Sequence, residues 1–257
     1  MSKVFDAYAK YYNLLYKGKN YKKETEYVLK FIRKYKPDAR SILDLGCGTG
    51  RHDLLFSRKG FKTTGVELSP RMYSAAREIL NENKNEELSL KFYNGDIRKI
   101  KLLSKFDVII SLFHVINYQT TNEDLESIFK TVKNHLKKDG LFIFDFWYGP
   151  AVLSDRPLKK TKIIKSDEIQ ITRHTVPEMK VNENLAVINF KVEVKDLQTQ
   201  RIKKFNEKHN MRYLFLPEIE SLCGKFELES IYAKEWLTGK NLSDKTWYGF
   251  TVLKNQN

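Results

Sequence analysis

Cysteine is scarce in this chain: its 257 residues include only Cys47 and Cys223, which lie far apart. This scarcity excludes a disulfide framework, and the spacing matches no zinc motif. No apolar run approaches the roughly 20 residues that span a bilayer, and the N-terminal residues lack the apolar stretch of a signal peptide. No acidic cluster indicates a magnesium site. We therefore expect a soluble, cytoplasmic protein that binds neither membranes nor metal.

Acidic side chains are also in short supply, because 32 Asp and Glu stand against 46 Lys and Arg, a formal net charge of +14. Such a surplus attracts phosphate-rich partners. The basic residues are mostly scattered lysines without an arginine-rich stripe, which favours a solvated surface. Nucleic acid is therefore not the expected partner, and an anionic small substrate stays compatible with the charge.

The distribution of apolar residues predicts the fold. They make up 41% of the chain, enough for a substantial core. Between residues 41 and 147, short apolar runs alternate with helical patterns, which predicts a doubly wound parallel sheet. After Pro150 the pattern changes to strict alternation, as in residues 186–194, which predicts antiparallel strands. Residues 228–232 and 247–253 are predicted to be the last two strands.

The stretch from Ile42 to Gly50 combines a buried strand, an acid near its end and three alternate glycines. Gly46, Gly48 and Gly50 allow a sharp turn and let a ligand approach the backbone closely. The dinucleotide fingerprint places its third glycine one position later, and the lysine of a P-loop is missing. Glu67 ends the next apolar run, where an acid can accept ribose hydroxyls. The pattern indicates a nucleotide-type ligand.

Four pieces in order resemble the class I S-adenosylmethionine (SAM) dependent methyltransferases: the glycine loop, Gly95–Arg98, Phe106–Leu112 and Lys138–Phe144. The resemblance implies SAM as the cofactor and S-adenosylhomocysteine (SAH) as its product. It also implies an α/β fold with a doubly wound, Rossmann-like sheet of seven strands. The antiparallel β insertion then lies between strands five and six.

The same resemblance divides the chain into three parts. Residues 1–40 become a helical lid over the glycine loop. Residues 41–150 and 214–257 become the SAM-binding methyltransferase domain, and residues 151–213 become the β insertion.

Individual cofactor contacts follow from the resemblance. Asp44 is expected to face the methionine ammonium group and Glu67 to hold the ribose. Asp96 and Ile97 are expected to bracket the adenine. We favour Cys47 as a small residue tolerated between glycines rather than as a nucleophile. The cofactor-binding candidates are Tyr21, Asp44, Gly46, Cys47, Gly48, Gly50, Glu67, Leu68, Asp96, Ile97 and Leu112.

A narrower resemblance is to the N,N-dimethyltransferases that modify nucleotide-linked amino sugars. It rests on the tyrosine-rich segment around Tyr12, on Arg51 after the glycine loop and on Phe146–Tyr148 before the insertion. It implies that the N-terminal tyrosines close over the site and that Tyr118 lies near the acceptor amine. It also implies that the insertion builds the sugar-nucleotide pocket and often a dimer surface. Phe113–Asn117 departs from the small loop of that family.

The catalytic candidates are Tyr118, His114 and Tyr12. His114 can take a proton from an acceptor amine or hydroxyl, or it can simply pack beside strand four. Arg173 matches an arginine-bearing strand of the narrower family and can reach a phosphate, unless it faces solvent. We expect methyl transfer to a small molecule such as a nucleotide-linked amino sugar. An RNA methyltransferase and a noncatalytic SAM-binding module stay open as alternatives.

Overall fold

The computed structural model describes residues 11–12 and 14–256. Its strands are β1 (Ser41–Leu45), β2 (Lys62–Glu67), β3 (Leu90–Asn94), β4 (Phe106–Ser111), β5 (Leu136–Trp147), β6 (Lys160–Lys165), β7 (Ile169–Lys180), β8 (Leu185–Asp196), β9 (Ile202–Arg212), β10 (Leu228–Glu235) and β11 (Tyr248–Asn255). Its α-helices are α1 (Tyr21–Tyr35), α2 (Arg51–Arg58), α3 (Pro70–Glu82), α4 (Asn122–His135), α5 (Gly149–Ser154) and α6 (Leu216–Lys225). Short 3₁₀ helices lie at Val115–Tyr118 and Val181–Glu183. Of the described helices, none has the length and apolar character needed to cross a membrane.

The strands form a seven-stranded sheet in the order β10-β11-β5-β4-β1-β2-β3 and a four-stranded sheet in the order β6-β7-β8-β9. The strands from β5 to β3 in the large sheet pair in parallel, whereas β11 is antiparallel to both of its neighbours. The small sheet is antiparallel throughout. These pairings confirm the predicted α/β fold with an antiparallel insertion between the fifth and sixth strands of the large sheet.

Both faces of the large sheet are buried, which explains its nearly continuous apolar strands. Neighbouring residues in a strand point to opposite faces, so Ile42 and Leu43 enter different cores. Ile42 packs in the cluster that contains Val28 of α1. Leu43 packs in the cluster that contains Phe129 of α4 and Ile219 of α6. The sheet is therefore the middle layer between two layers of helices.

The prediction that residues 1–40 form a lid over the glycine loop stays a prediction, but α1 also packs on the large sheet. Its buried side chains Val28, Leu29 and Ile32 pack with Val108 of the sheet, so this helix belongs to one of the two layers that cover the large sheet. The helical spacing was a correct signal, but it did not say which surface the apolar face would cover. The start of α1 and the residues before it reach the predicted site, where Tyr21 packs against His52. Residues 1–10 and 13 lie outside the described part.

Strand β5 begins earlier than predicted. The turn expected at Asp139 and Gly140 lies inside the strand, where the pairing with β4 shifts its register. Asp139 has a φ of +57°, so the backbone makes the expected local reversal without ending the strand. The N-terminus of α3 agrees with the sequence, because Ser69 accepts a hydrogen bond from the Met72 amide and Pro70 begins the helix.

Asn117 joins the insertion to the large sheet. Its side chain donates a hydrogen bond to the carbonyl oxygen of Arg212 at the end of β9 and accepts one from the Trp147 amide at the end of β5. Its side chain is fully buried. Replacing it would therefore leave two main-chain groups without a partner away from bulk water.

We expect Asn117→Ala to lower the free energy of unfolding by about 2–4 kcal/mol, because each unpaired group costs roughly 1–3 kcal/mol. Denaturant unfolding followed by circular dichroism measures the change. Asn182→Ala is the matched control, since Asn182 is exposed and its loss should cost less than about 0.5 kcal/mol. Equal stability of the two variants would contradict the bridging role of Asn117.

Candidate active site

The glycine loop after β1 uses its glycines for two different reasons. Gly46 has a φ of +92°, and a Cβ atom there would lie 2.4 Å from Cγ1 of Val115. Gly50 has a φ of +74°, and a Cβ atom there would lie 2.5 Å from the ring of Phe92. At Gly48, with a φ of +58°, the nearest described atom is Met72 Cε at 3.8 Å. Packing therefore requires glycine at the two outer positions, and the middle position leaves space for a ligand.

Glu67, at the end of β2, ties this loop to the neighbouring strand. One carboxylate oxygen accepts the Gly48 amide at 2.9 Å and the other accepts the Ser69 amide at 2.7 Å. Burial raises the pKa of Glu67 above its usual value, although these amides partly offset the effect. A carboxylate oxygen has two lone pairs, so both oxygens keep capacity for ribose hydroxyls. Glu67 thus holds the loop in shape and stays available for its predicted role.

Asp44 is buried near the end of β1 and faces Asp53, a residue of α2 that we did not predict to be functional. Burial, together with the charges of Asp53 and Glu67, raises the pKa of Asp44 well above its usual range. Burial also raises the pKa of Asp53 to about 7. In the described part of the chain, Asp44 Oδ1 and both oxygens of Asp53 have no hydrogen-bond partner.

The other cofactor candidates differ in what their side chains can reach. Leu68 is 58% exposed beside Glu67, so its side chain can pack on a ligand. The side chains of Ile97 and Leu112 are buried in the two core clusters, which leaves their main-chain atoms to border the site. Cys47 packs with Ala76 against β3, and burial raises the pKa of its thiol well above its usual value. Such a buried thiol is a packing group rather than a nucleophile.

Asp96 makes a contact that the sequence did not predict. Its carboxylate binds the guanidinium of Arg98 at 2.7 Å, and Arg98 also binds Asp124 on α4. The hydrogen bond from Arg98 lowers the pKa of Asp96, so this carboxylate stays ionised. The expected hydrogen bond to adenine must therefore share the carboxylate with Arg98.

His114 lies against Asp145 at the carboxyl end of β4. His114 Nδ1 lies 2.6 Å from Asp145 Oδ2, and the imidazole stacks on Tyr248 with ring centroids 4.6 Å apart. Burial opposes ionisation of Asp145, but the charge and hydrogen bonds of His114 lower its pKa below the usual value. His114 and Phe113 both have positive φ angles. The backbone is thus held in an uncommon conformation that directs His114 towards β5.

Tyr118 connects the same loop to the insertion. Its hydroxyl lies 2.7 Å from Nδ1 of His209 on β9. Burial and the charge of Arg173 lower the pKa of His209 to about 4, so its imidazole is neutral at physiological pH. Arg173 on β7 is buried, and its guanidinium lies 4.4 Å from the ring centre of Phe190. The interpretation of Arg173 as a solvent-facing residue is therefore wrong.

The N-terminal tyrosines lie where the insertion meets the loop after β4, residues 113–118, which we call the acceptor loop. Tyr12 clusters with Met72 and with Val192 of the insertion, and its ring centre lies 4.7 Å from that of Tyr16. Tyr16 packs edge-on against Phe113 at 5.1 Å. Tyr21 packs against His52 at 4.9 Å instead, and burial raises its pKa to about 12. Tyr12 thus borders the predicted acceptor region, and Tyr21 borders the start of α2.

A buried ion network fixes this segment in place. Lys19 Nζ lies 2.6 Å from one oxygen of Glu24, and His52 Nε2 lies 2.8 Å from the other. Lys19 also lies 3.7 Å from the ring centre of Phe113. The network therefore links the N-terminal segment to the helix after the glycine loop and to the acceptor loop.

The residues present fit SAM by two observations of the structure. Gly48 leaves open space at the middle of the loop, and Asp44 Oδ1 is a buried acceptor that no described group satisfies. A ligand with an ammonium group suits such an acceptor. Among residues 11–12 and 14–256, no group of three or more His, Cys, Asp or Glu side chains could hold a metal ion.

We expect Gly48→Ala to weaken SAM binding about tenfold or more, equivalent to about 1.4 kcal/mol, because the added methyl group fills the open space. Titration calorimetry with SAH measures the affinity. Gly60→Ala is the control, since Gly60 has a φ of +89° and no described neighbour within 4 Å. Both variants carry the strain of a left-handed alanine, about 1–2 kcal/mol of stability. Equal SAH affinity in the two variants would refute the open-loop assignment.

Comparisons with known proteins agree with this geometry. Residues 42–140 match a family model described as a methyltransferase domain. The chain is 31% identical over 150 residues to the dTDP-3-amino-3,4,6-trideoxy-alpha-D-glucopyranose N,N-dimethyltransferase of Streptomyces venezuelae, covering 58% of this chain and 60% of that enzyme. The match spans between 53% and 60% of the first five curated relatives.

Solved structures cover nearly the whole chain. A SAM-dependent methyltransferase from Clostridium acetobutylicum is 25% identical with a TM-score of 0.80, covering 98% of this chain and 99% of that one. DesVI from Streptomyces venezuelae is 26% identical with a TM-score of 0.78, covering 96% and 98%. Together with the glycine loop, Asp44 and Glu67, these matches confirm the predicted resemblance to SAM-dependent methyltransferases. Residues 42–140 are a methyltransferase domain, and nearly the whole chain shares the fold of the solved SAM-dependent methyltransferase.

Proposed function

We propose that the protein transfers the methyl group of SAM to the amine of a nucleotide-linked amino sugar. The name of the matched Streptomyces venezuelae enzyme supports this choice, because it specifies N,N-dimethylation of a dTDP-linked amino sugar. The residues of this chain support it through three features: a cofactor cradle, a proton acceptor and a cationic insertion.

On the cofactor side, bound SAM supplies an electrophilic methyl group on a sulfonium. Asp44 and the open face of Gly48 would hold its amino-acid portion. Glu67 would accept its ribose hydroxyls, and the exposed Leu68 would pack on its adenine. Because Val115 packs against Gly46, the acceptor loop and the glycine loop are held at a fixed distance from each other. This contact would align the two reactants.

On the acceptor side, an amine attacks only in its neutral form, so the site needs a proton acceptor. The pairing of His114 with buried Asp145 is the single observation that carries this role. With Nδ1 lying 2.6 Å from the carboxylate, Nε2 is the nitrogen that takes the proton from the substrate ammonium. Asp145 stays ionised and stabilises the imidazolium that forms. Tyr118, held by His209, would orient the acceptor.

The insertion offers positive charge for an anionic carrier. Arg173 and Lys162 are directly paired on β7 and β6, and Lys162 Nζ donates a hydrogen bond to the Leu15 carbonyl oxygen at 3.2 Å. These contacts place both cations on the face that meets the N-terminal segment. Burial and the nearby Arg173 lower the pKa of Lys162. A diphosphate bound at this face would relieve the repulsion between the two cations.

We expect His114→Asn to lower kcat by about 10²- to 10⁴-fold, the usual range for loss of a general base, with SAM affinity unchanged. Asp145→Asn should lower kcat as well, and the double variant should be no slower than His114→Asn, because the two side chains act as one unit. His174→Asn, on the outer side of the insertion, is the matched control and should keep full activity. Multiplicative losses in the double variant would show that the pair does not act as one unit.

Transfer of labelled methyl from SAM tests the proposed function. The enzyme is given a panel of dTDP-linked amino sugars, the matching sugars with hydroxyl in place of the amine, and total RNA. Label in an amino sugar, and none in its hydroxyl analogue, is the expected result. Label only in RNA, or only in the hydroxyl analogue, would contradict the proposal.

A further inference from the structure

The pair formed by Asp44 and Asp53 lies outside the roles described so far. Asp44 is 2% exposed and Asp53 is fully buried, and the two carboxyl groups face each other. Two ionised carboxylates are both acceptors only, so they cannot satisfy one another and they repel. A shared proton turns one of them into a donor and makes the arrangement compatible with burial.

We propose that Asp44 and Asp53 hold a shared proton in the free enzyme and release it to solvent when the ammonium group of SAM binds beside Asp44. The proposal rests on the use of SAM, but it does not depend on the acceptor. Binding replaces one positive charge, the shared proton, with another, the ligand ammonium. Asp53 is then a positioning residue that makes Asp44 fully ionised only in the loaded enzyme.

The burial of Asp53 supports this exchange. Both of its oxygens lack a hydrogen-bond partner among the described residues, although it lies in the first turn of α2, where an anion is favoured. An ionised carboxylate without a counter-charge is costly in such a place, so both carboxyl groups ionise only when the ligand ammonium supplies that counter-charge. The raised pKa values of both carboxyl groups agree with a proton that stays bound near neutral pH.

The effect of other titratable groups on the pH dependence must be distinguished from the effect of the pair. The charged or titratable side chains on the surrounding elements are Glu67 on β2, Cys47 in the glycine loop, Glu24 on α1, His52 on α2, Lys19 before α1 and Asp145 on β5. Glu67 is the main competitor, because burial raises its pKa too. Glu67 would contact the ribose, whereas the pair would contact the amino-acid portion. A ligand that has only the ribose distinguishes them.

Calorimetry at several pH values tests the proposal with two ligands. SAH carries both the ribose and the ammonium group, and 5′-methylthioadenosine carries the ribose alone. Because the bound state holds fewer protons, affinity for SAH should rise with pH, by about tenfold between pH 5.5 and 6.5. The rise should level off as the pair loses its proton. Measurements stay below about pH 7.5, since a free α-amino group titrates near 8.

The expected result is this rise for SAH and a flat profile for 5′-methylthioadenosine. In buffers of different ionisation enthalpy, SAH binding at pH 6 should release about one proton. Asp53→Asn keeps the size of the side chain without the acid, and it should remove the pH dependence of SAH binding. If this variant does not fold, the comparison of the two ligands on the wild-type enzyme still tests the proposal.

A flat SAH profile would overturn the proposal, and so would an equal rise for both ligands, which would assign the proton to Glu67 or another shared group. Retention of the slope in Asp53→Asn would also overturn it. Failure to bind SAH at any pH would refute the use of SAM and the pair together. Failure to methylate amino sugars, with the SAH profile intact, would refute only the proposed acceptor.

Discussion

The site exists because the strand order of the large sheet reverses between β1 and β4. The chain leaving β1 continues to β2 on one side, and the chain leaving β4 continues to β5 on the other. The two connections therefore part at the carboxyl ends of adjacent strands and leave a crevice, which is where ligands bind in open α/β sheets. Every candidate residue for cofactor or acceptor gains its position from one of these two connections or from an element packed against them.

Close packing fixes the position of one connection relative to the other. Val115 of the acceptor loop occupies the place that a side chain at Gly46 would need, so the loops touch at one point and stay open at Gly48. A protein interior transmits small displacements because it is packed as densely as a crystal. The same loop reaches the insertion through Asn117 and Tyr118. The acceptor loop thus couples the cofactor cradle to the surface that we propose for the sugar nucleotide.

Most buried charged side chains at this crevice contact a group that can balance their charge. Lys19 neutralises Glu24, which also contacts His52, and Asp145 lies against His114. Such pairing is what burial requires, because an isolated charge away from water is expensive. Asp44 and Asp53 differ, since they combine two acids where the expected ligand carries a positive charge. This exception therefore falls where the ligand itself can supply the missing charge.

The sheet and the position of the glycine loop could be predicted from the sequence because their signals are local. Apolar runs mark strands buried on both faces, and the glycines, Asp44 and Glu67 lie at the strand ends. The partners of the catalytic candidates could not be predicted, because Asp145 lies 31 residues from His114 and His209 lies 91 residues from Tyr118. Each of these partners sits in an ordinary strand pattern, and only the folded sheet brings the pairs together.

Amide hydrogen exchange with and without ligand tests most directly whether the crevice is the active site. Added SAH should slow exchange in residues 46–53 and 67–70, and an added dTDP-linked amino sugar should extend the protection to residues 113–118 and to β7 and β9. Protection by SAH that leaves residues 46–53 unchanged and appears elsewhere would contradict the assignment of the crevice as the cofactor site.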